Sequence, residues 1–294
     1  MNLTGSNSQN NSETRAVAII PARLASSRLP GKALLNLAGK PMIIWVAERA
    51  LMARNVNRVI VATDDQRIVD AVRSEGLEAV MTRADHASGT DRIAEVAATL
   101  DDAEVIVNVQ GDEPLISPET IDRAVEAMAE THDCEPGTSA ANEDNRKTIG
   151  IVTTWEPVDS ETEVLNPDVV KIVVDETGLA LYFSRSPVPY PRDAVREYGS
   201  IEAALSRQPG LLAQFRKHTG LYVYRRDVLL EFTKWPQSEL ERAESLEQLR
   251  ALEHGVRIKV IEASTRSIGV DTKDDLERVR SILEQESASL HNAL

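Results

Sequence analysis

Short apolar runs alternate with segments of helical periodicity through roughly the first 130 residues of this chain, which has 294 residues in all. The runs predict strands at 16–20, 58–62, 77–81 and 105–109. Helices are predicted from Pro41 onward, at 66–75 and at 91–100. Strands separated by helices predict an α/β fold with a mostly parallel central sheet. The apolar run at 105–109 predicts a strand in the middle of that sheet.

The pattern changes after residue 148, where hairpin signals appear. Strands are predicted at 149–154, 169–174, 179–184, 218–224 and 256–262, and helices near 226–233, 241–254 and 273–285. The proline-rich stretch at 186–192 predicts irregular structure. The predicted organisation is a disordered tail at 1–15, an α/β half at 16–131, an exposed insertion at 132–148, and a mixed or antiparallel half at 149–294 that returns to the main sheet near its end.

A cationic loop follows the first predicted strand. It contains Arg23, Ser26, Arg28 and Lys32. Open α/β sheets bind ligands at the carboxyl ends of their strands, and cations with hydroxyls suit a polyphosphate. The P-loop and dinucleotide-binding motifs are both missing from this stretch. From charge alone, a solvated surface loop is an equally good interpretation.

Charge and cysteine content limit the class of protein. A net charge of −14 argues against a general nucleic-acid or membrane-surface binder. No apolar run approaches the ~20 residues of a membrane span. The single cysteine, Cys134, excludes an intrachain disulfide and a cysteine-based zinc site, and it favours a reducing compartment. We therefore expect a cytoplasmic protein whose anionic ligand meets a local cationic cluster.

Two aspartates are candidate metal ligands. Asp112 follows the most apolar strand directly, and Asp271 precedes the last predicted helix. Mg²⁺ needs only one or two carboxylates when substrate phosphates and water complete its shell. Both residues have structural alternatives. Asp112 is also a good turn former, and Asp271 or Thr272 would cap the last helix, with Thr272 and Asp275 forming a capping-box pair.

Ordered sequence blocks resemble the cytidylyltransferases that activate eight-carbon sugar acids, the 3-deoxy-manno-octulosonate (Kdo) cytidylyltransferase family. The resemblance extends from about residue 16 to 285. The blocks are IIPARLASSRLPGK at 19–32, VATDD at 61–65, MTRADHASGTDR at 81–92, VNVQGDEP at 107–114, NPDVVKIVVD at 166–175, ALYFSR at 180–185, HTGLYVYRR at 218–226, ESLEQLRALEHG at 244–255 and GVDTKDDLERVR at 269–280.

The resemblance implies roles for individual residues. The triphosphate would be bound by Arg23, Ser26, Arg28 and Lys32. The cytosine and ribose would be bound by Arg83, Asp85, Ser88, Gly89, Thr90 and Arg92. Gln110, Asp112 and Asp271 would lie around a catalytic Mg²⁺, with Asp112 and Asp271 as metal ligands and Arg23 and Lys32 as catalytic cations. The sugar acid would be bound by Arg185, Arg192, His218, Tyr222, Glu247 and Gln248.

Some of these residues also suit structural roles. Tyr222 could belong to the core, and Glu247 could lie on a solvated helix face. Arg185 is preferred to Arg192 as the guanidinium that holds the sugar carboxylate.

The family resemblance also implies a fold and an activity. The fold would be Rossmann-like, of the nucleotide-diphospho-sugar transferase type, in a homodimer built from the second half. The reaction would convert CTP and Kdo to CMP-Kdo and pyrophosphate for lipopolysaccharide biosynthesis. Two other functions stay open: activation of another acid sugar, such as 8-amino-Kdo or sialic acid, and nucleotide binding without catalysis.

Overall fold

A computed structural model describes residues 16–24, 29–129 and 148–291, with side chains described as far as Glu286. The tail predicted at 1–15 and nearly all of the insertion predicted at 132–148 lie outside the described residues. Ser26 and Arg28 of the cationic loop also lie outside them.

The described residues form one nine-stranded sheet with strand order β11-β7-β10-β6-β1-β4-β5. Strand β8 also pairs with β10, and β9 pairs with β8. A separate two-stranded hairpin is formed by β2 and β3. The strands are β1 (Ala16–Ala22), β2 (Asn36–Leu37), β3 (Lys40–Pro41), β4 (Val56–Thr63), β5 (Glu78–Met81), β6 (Val105–Asn108), β7 (Ile149–Pro157), β8 (Lys171–Val174), β9 (Ala180–Ser184), β10 (Arg216–Arg225) and β11 (Arg257–Glu262).

Helices cover both faces of the sheet because its central strands are apolar on both sides. Val17 and Ile19 of β1 pack toward one face, whereas Ala18 and Ile20 pack toward the other. The helices are α1 (Met42–Leu51), α2 (Gln66–Ser74), α3 (Gly89–Ala97), α4 (Pro118–Ala129), α5 (Glu161–Leu165), α6 (Arg192–Tyr198), α7 (Ile201–Arg207), α8 (Arg226–Phe232), α9 (Glu239–Glu244), α10 (Gln248–Glu253) and α11 (Lys273–His291). Short 3₁₀ segments lie at Lys32–Leu34 and Pro209–Gln214.

The predicted α/β class is confirmed. Strands β6, β1, β4 and β5 are parallel, with β1 between β6 and β4. Strand β10 is antiparallel to both β6 and β7 and joins the two parts of the chain in one sheet. The predicted hairpin is present as β8 and β9. The division into a nucleotide half and a sugar half stays a prediction.

The single helix predicted at 241–254 is wrong, because two short helices occupy that range. Ser245 ends α9 in the left-handed region at φ 51°. The Arg185 side chain stabilises this break by donating to the carbonyl oxygens of Glu244 at 2.6 Å and Ser245 at 3.3 Å. Helix α10 then begins at Gln248, with Glu247 as its N-cap residue.

Several elements have weak sequence signals. Helices α6 and α7 follow the proline-rich stretch and pack with α5 in a small apolar cluster around Phe215. Helix α11 packs on Leu37 and Met42, beside the main sheet. Within the described ranges, no helix is long and apolar enough to cross a membrane.

Candidate active site

Three loops meet where β1 and β6 end. Gly111 lies directly under the backbone of β1, because a Cβ atom at this position would stand 2.8 Å from the Pro21 carbonyl oxygen. The Val270 amide donates to the Asp112 carbonyl oxygen at 2.9 Å. This bond brings the loop before α11 against the loop after β6, so Asp112 and Asp271 become neighbours.

Lys32 lies between these two aspartates. Its Nζ atom is 2.7 Å from Asp112 Oδ2 and 2.9 Å from Asp271 Oδ1. Burial acts to lower the pKa of Lys32, but the charges and hydrogen bonds of both carboxylates outweigh it, and the net pKa is raised. The ammonium group therefore holds together two carboxylates that would otherwise repel each other.

The helix-cap alternative for Asp271 is resolved by the geometry of α11. Thr272 caps the helix instead: its Oγ1 accepts from the Asp275 amide at 3.1 Å, and Asp275 Oδ2 accepts from the Thr272 amide at 2.9 Å. This is the capping box that the sequence suggested. The Oδ1 atom of Asp271 accepts from Lys32.

The same two carboxylates suit a hard divalent cation. Their oxygens converge on one cation, the Lys32 ammonium, and oxygen ligands are those that Mg²⁺ prefers. Across residues 16–24, 29–129 and 148–286, no cluster of three or more metal-ligating side chains occurs. A divalent ion held by Asp112 and Asp271 would therefore need water and phosphate oxygens to complete its shell.

The two described ends of the cationic loop are held by hydrogen bonds. The Gly31 amide donates to the Leu24 carbonyl oxygen at 3.2 Å, which closes the loop and turns Lys32 inward. Arg23 donates to the His86 carbonyl oxygen at 2.9 Å. Arg23 therefore connects the cationic loop to the loop that precedes α3.

The loop before α3 contains residues with different surroundings. Ser88 caps α3 in a capping box with Asp91, so the helix begins at Gly89, two residues before the predicted start. Arg83 and Asp85 are exposed. The side chain of Arg92 is fully buried, where it contacts Thr82 and donates to Asp64 Oδ2 at 2.8 Å. Arg92 thus braces the loop and has no exposed surface with which to contact a ligand.

Thr90 connects this loop to the second half of the chain. Its hydroxyl donates to Glu247, and both side chains lie next to Tyr224. Burial raises the pKa of Glu247. Gln248 is also buried. The solvated-face interpretation of Glu247 is therefore wrong, because its carboxylate lies inside the protein against α3.

The two predicted sugar-binding arginines lie in contrasting environments. Three donors of the Arg185 guanidinium bind carbonyl oxygens, those of Glu244, Ser245 and Pro167. The Arg192 side chain is 80% exposed. Arg185 therefore has two N–H bonds left for a ligand, whereas Arg192 projects into solvent.

His218 and Tyr222 lie side by side on β10. The His218 ring is 5.1 Å from Phe183 in an edge-on arrangement and 5.4 Å from Tyr222, measured between ring centroids. Burial lowers the pKa of His218 to about 3 and raises that of Tyr222 well above its usual value. Both rings are therefore neutral at physiological pH. Tyr222 is buried, as the core interpretation requires, and still contacts the His218 ring.

Sequence reasoning missed Glu113, which follows Asp112 directly. Burial, reinforced by the charge of Asp112, raises the pKa of Glu113 to about 8. Gly220 of β10 lies against it and against Gln110, whose side-chain amide donates to the Gly220 carbonyl oxygen at 3.2 Å. The acidic pair within QGDEP at 110–114 was the available signal. These contacts place β10 beside the carboxylate pair.

Comparison with known proteins defines the class to which this fold and site belong. The sequence model of a family described as cytidylyltransferase matches residues 17–258. The chain belongs to the cytidylyltransferase family.

Relatives within that family are more specific. The chain is 52% identical to the 3-deoxy-manno-octulosonate cytidylyltransferase of Geobacter sulfurreducens, over 89% of this chain and 96% of the relative. It is 50% identical to the protein of that name in Trichlorobacter lovleyi, over 92% and 98% of the two chains. A solved structure of CMP:2-keto-3-deoxy-manno-octonic acid synthetase complexed with CTP superposes with a TM-score of 0.78 at 41% identity, over 93% of this chain and 100% of the other. Within its family, the chain groups with the 3-deoxy-manno-octulosonate cytidylyltransferases.

Proposed function

We propose that this protein activates Kdo with CTP, giving CMP-Kdo and pyrophosphate. The observation that carries the proposal is the meeting of Lys32, Asp112 and Asp271 at the carboxyl edge of the sheet. A cation and two carboxylates at the end of the cationic loop suit transfer of a nucleotidyl group. The near-complete match to Kdo cytidylyltransferases supports the sugar acid as the second substrate.

In the proposed reaction, the anomeric hydroxyl oxygen attacks the α-phosphorus and its proton passes to water. The bond between the α-phosphorus and the oxygen that bridges to the β-phosphorus breaks, and pyrophosphate leaves with that oxygen. Arg23 and Lys32 would stabilise the charge on the departing pyrophosphate. Arg28 and Ser26 are proposed to contact the same phosphates. Catalysis by these groups is mainly positioning and charge neutralisation.

The proposed metal is Mg²⁺, held by Asp112 and Asp271 with Gln110 nearby. When bound, Mg²⁺ would polarise the phosphate oxygens and neutralise developing charge. We expect the ion to take the place of the Lys32 ammonium between the carboxylates. The phosphates of CTP are the natural new partner for that ammonium.

The remaining contacts divide between the two substrates. Arg83, Asp85, Ser88, Gly89 and Thr90 are proposed to contact cytidine; for Arg92, the buried contacts support a bracing role. Arg185, Arg192, His218, Tyr222, Glu247 and Gln248 are proposed to form the sugar-acid site. The contact between Thr90 and Glu247 supports two adjacent substrate sites.

Pyrophosphate release tests the proposed function. CTP is offered with Kdo, 8-amino-Kdo or sialic acid, with and without Mg²⁺. The proposal requires the highest kcat/KM with Kdo and dependence on the metal. A higher kcat/KM with another sugar acid would reassign the second substrate. CTP binding without pyrophosphate release in the presence of any of the three sugar acids would overturn the proposed catalysis.

We also propose that the protein acts as a cytoplasmic homodimer. The single cysteine suits a reducing compartment. Leu181 and Tyr190 in the second half each expose 61% of their surface, which supports an apolar contact there. Light scattering after gel filtration should give twice the chain mass. Leu181→Arg should lower the measured mass toward that of one chain, and an unchanged mass would exclude the surface around Leu181 as the interface.

A further inference from the structure

The pairing of strand β10 with β7 is irregular beside His218. The register shifts between Thr219 and Tyr222, so Gly220 and Leu221 have no partner residues on β7. Irregularities of this kind re-aim side chains next to active sites. The hydroxyl of Thr153, a fully buried residue of β7, donates to the Leu221 carbonyl oxygen at 2.8 Å. Thr153 therefore supplies a side-chain donor where the ladder is disturbed.

The same hydroxyl also contacts His218. Thr153 Oγ1 lies 2.9 Å from His218 Nε2. A hydroxyl has one proton, and a carbonyl oxygen can only accept. If the Thr153 proton goes to Leu221, the hydrogen in the second bond must come from the imidazole. Both bonds form only when His218 Nε2 carries a proton and donates it to Thr153 Oγ1.

A neutral imidazole has one N–H, so protonation at Nε2 leaves Nδ1 as a lone-pair acceptor. Burial keeps the His218 ring neutral at physiological pH. Among the described residues, the ring nitrogen that has a hydrogen-bond partner is Nε2, and His218 is half-buried, not fully enclosed. Part of the residue therefore remains accessible, and Nδ1 is the ring nitrogen left for a ligand. Gly220, two residues further along β10, contacts Gln110, so this part of the strand borders the candidate site.

We propose that Thr153 is a positioning residue that holds His218 as the Nε2–H tautomer and thereby presents Nδ1 to a hydroxyl of the sugar substrate. This inference rests on the proposed function, which assigns His218 to the sugar site. A neutral acceptor binds an O–H group. It gives no hydrogen bond to an ionised carboxylate or phosphate, which has no proton to donate. Thr153 would therefore make this position selective for the polyhydroxylated part of the sugar acid.

Nuclear magnetic resonance of protein labelled with ¹⁵N-histidine tests the tautomer without substrate. The His218 signals are assigned by their loss in His218→Gln. We expect a protonated Nε2 and an unprotonated Nδ1 in the wild type and in Thr153→Ser, which keeps the hydroxyl. We expect Thr153→Val, which has nearly the same shape, to show a mixture of tautomers. A wild-type signal with a protonated Nδ1 would overturn the proposal, whether or not the Val variant folds.

Kinetics test the consequence for binding. Thr153→Val should raise KM for the sugar acid about fivefold, the effect of losing one neutral hydrogen bond, and leave KM for CTP unchanged. Thr153→Ser should resemble the wild type. An equal rise in both KM values, or the same loss in Ser as in Val, would contradict a positioning role. If no sugar acid causes pyrophosphate release from CTP, the proposed function is overturned. The resonance experiment would still decide the tautomer of His218.

Discussion

Lys32 and Asp112, 80 positions apart in the chain, are joined by a 2.7 Å contact between Nζ and Oδ2. Asp271 lies 2.9 Å from the same nitrogen. One positive charge is thus shared by two negative charges. In the proposed site, a divalent ion would take the position of this ammonium, and metal binding would then be linked to movement of Lys32.

Replacing Lys32 by Met should strengthen metal binding in the absence of nucleotide. The two carboxylates would lose their internal cation, and a divalent ion would no longer have a competitor. We expect about tenfold tighter binding of Mn²⁺, which corresponds to about 1.4 kcal/mol, measured by electron paramagnetic resonance titration. Lys40→Met, which removes a lysine paired with Glu48, is the matched control. Unchanged Mn²⁺ affinity in Lys32→Met would contradict this linkage.

Asp271→Asn should abolish most of the turnover. The amide keeps the shape of the carboxylate but removes the charge that the metal and Lys32 require, so we expect kcat to fall about 100-fold or more. Asp274→Asn changes an exposed aspartate in the first turn of the same helix and should have little effect. Pyrophosphate release at saturating CTP measures both. Equal activity of the two variants would remove Asp271 from the catalytic site.

Thr90→Val should destabilise the protein more than Thr90→Ser. The valine leaves the buried carboxylate of Glu247 without its hydroxyl donor, at a cost of about 1–3 kcal/mol. Serine retains the hydroxyl and should lose less. Urea unfolding gives the free energies, and equal values for the two variants would show that the hydroxyl contributes nothing.

His218 should make stability depend on pH below neutrality. In the folded protein burial lowers its pKa from 6.5 to about 3, so between these values the unfolded chain binds a proton that the folded one does not. The contribution of His218 is thus fully present above pH 6.5 and lost as the pH falls toward 3. The wild type should lose more unfolding free energy than His218→Gln between pH 7 and pH 4, measured by urea unfolding at each pH. Parallel profiles would contradict a depressed pKa.

Gly111→Ala should disturb the site through the backbone. The added methyl would stand 2.8 Å from the Pro21 carbonyl oxygen, which cannot move without shifting β1. We expect a loss of about 1–3 kcal/mol of stability together with lower activity. Gly269→Ala is the control, because a Cβ there has no neighbour within 4 Å. Thermal unfolding compares the two, and equal melting temperatures would contradict the close approach.

Local patterns were sufficient to predict the parallel part of the sheet. Strand β6 is apolar on both faces because it lies between β1 and β10, and its composition shows this directly. The antiparallel position of β10 was not predictable, since the pairing partner of a strand depends on contacts distant in sequence. The break at Ser245 was missed for the same reason. It depends on Arg185, some sixty positions away.

The site was predictable where chemistry follows a strand end. Asp112 and the cationic loop carry that signal. The choice of Thr272 as the cap of α11 depended on geometry, although the residue pair was visible in the sequence. Thr153 carries no signal at all. A threonine inside an apolar strand is typical of β structure, and its contact with His218 appears only once β7 and β10 are paired.

The hydrogen bond from the Val270 amide to the Asp112 carbonyl oxygen joins residues that are synthesised far apart in time. A ribosome makes the chain from its amino end, and domains begin to fold as they emerge. The cationic loop and Asp112 exist early, but Asp271 is added only when nearly all of the 294 residues have been synthesised. A nascent chain can therefore form most of its sheet while lacking the second carboxylate, and, with Asp271 in its proposed role, turnover would begin only after residue 271 has been added.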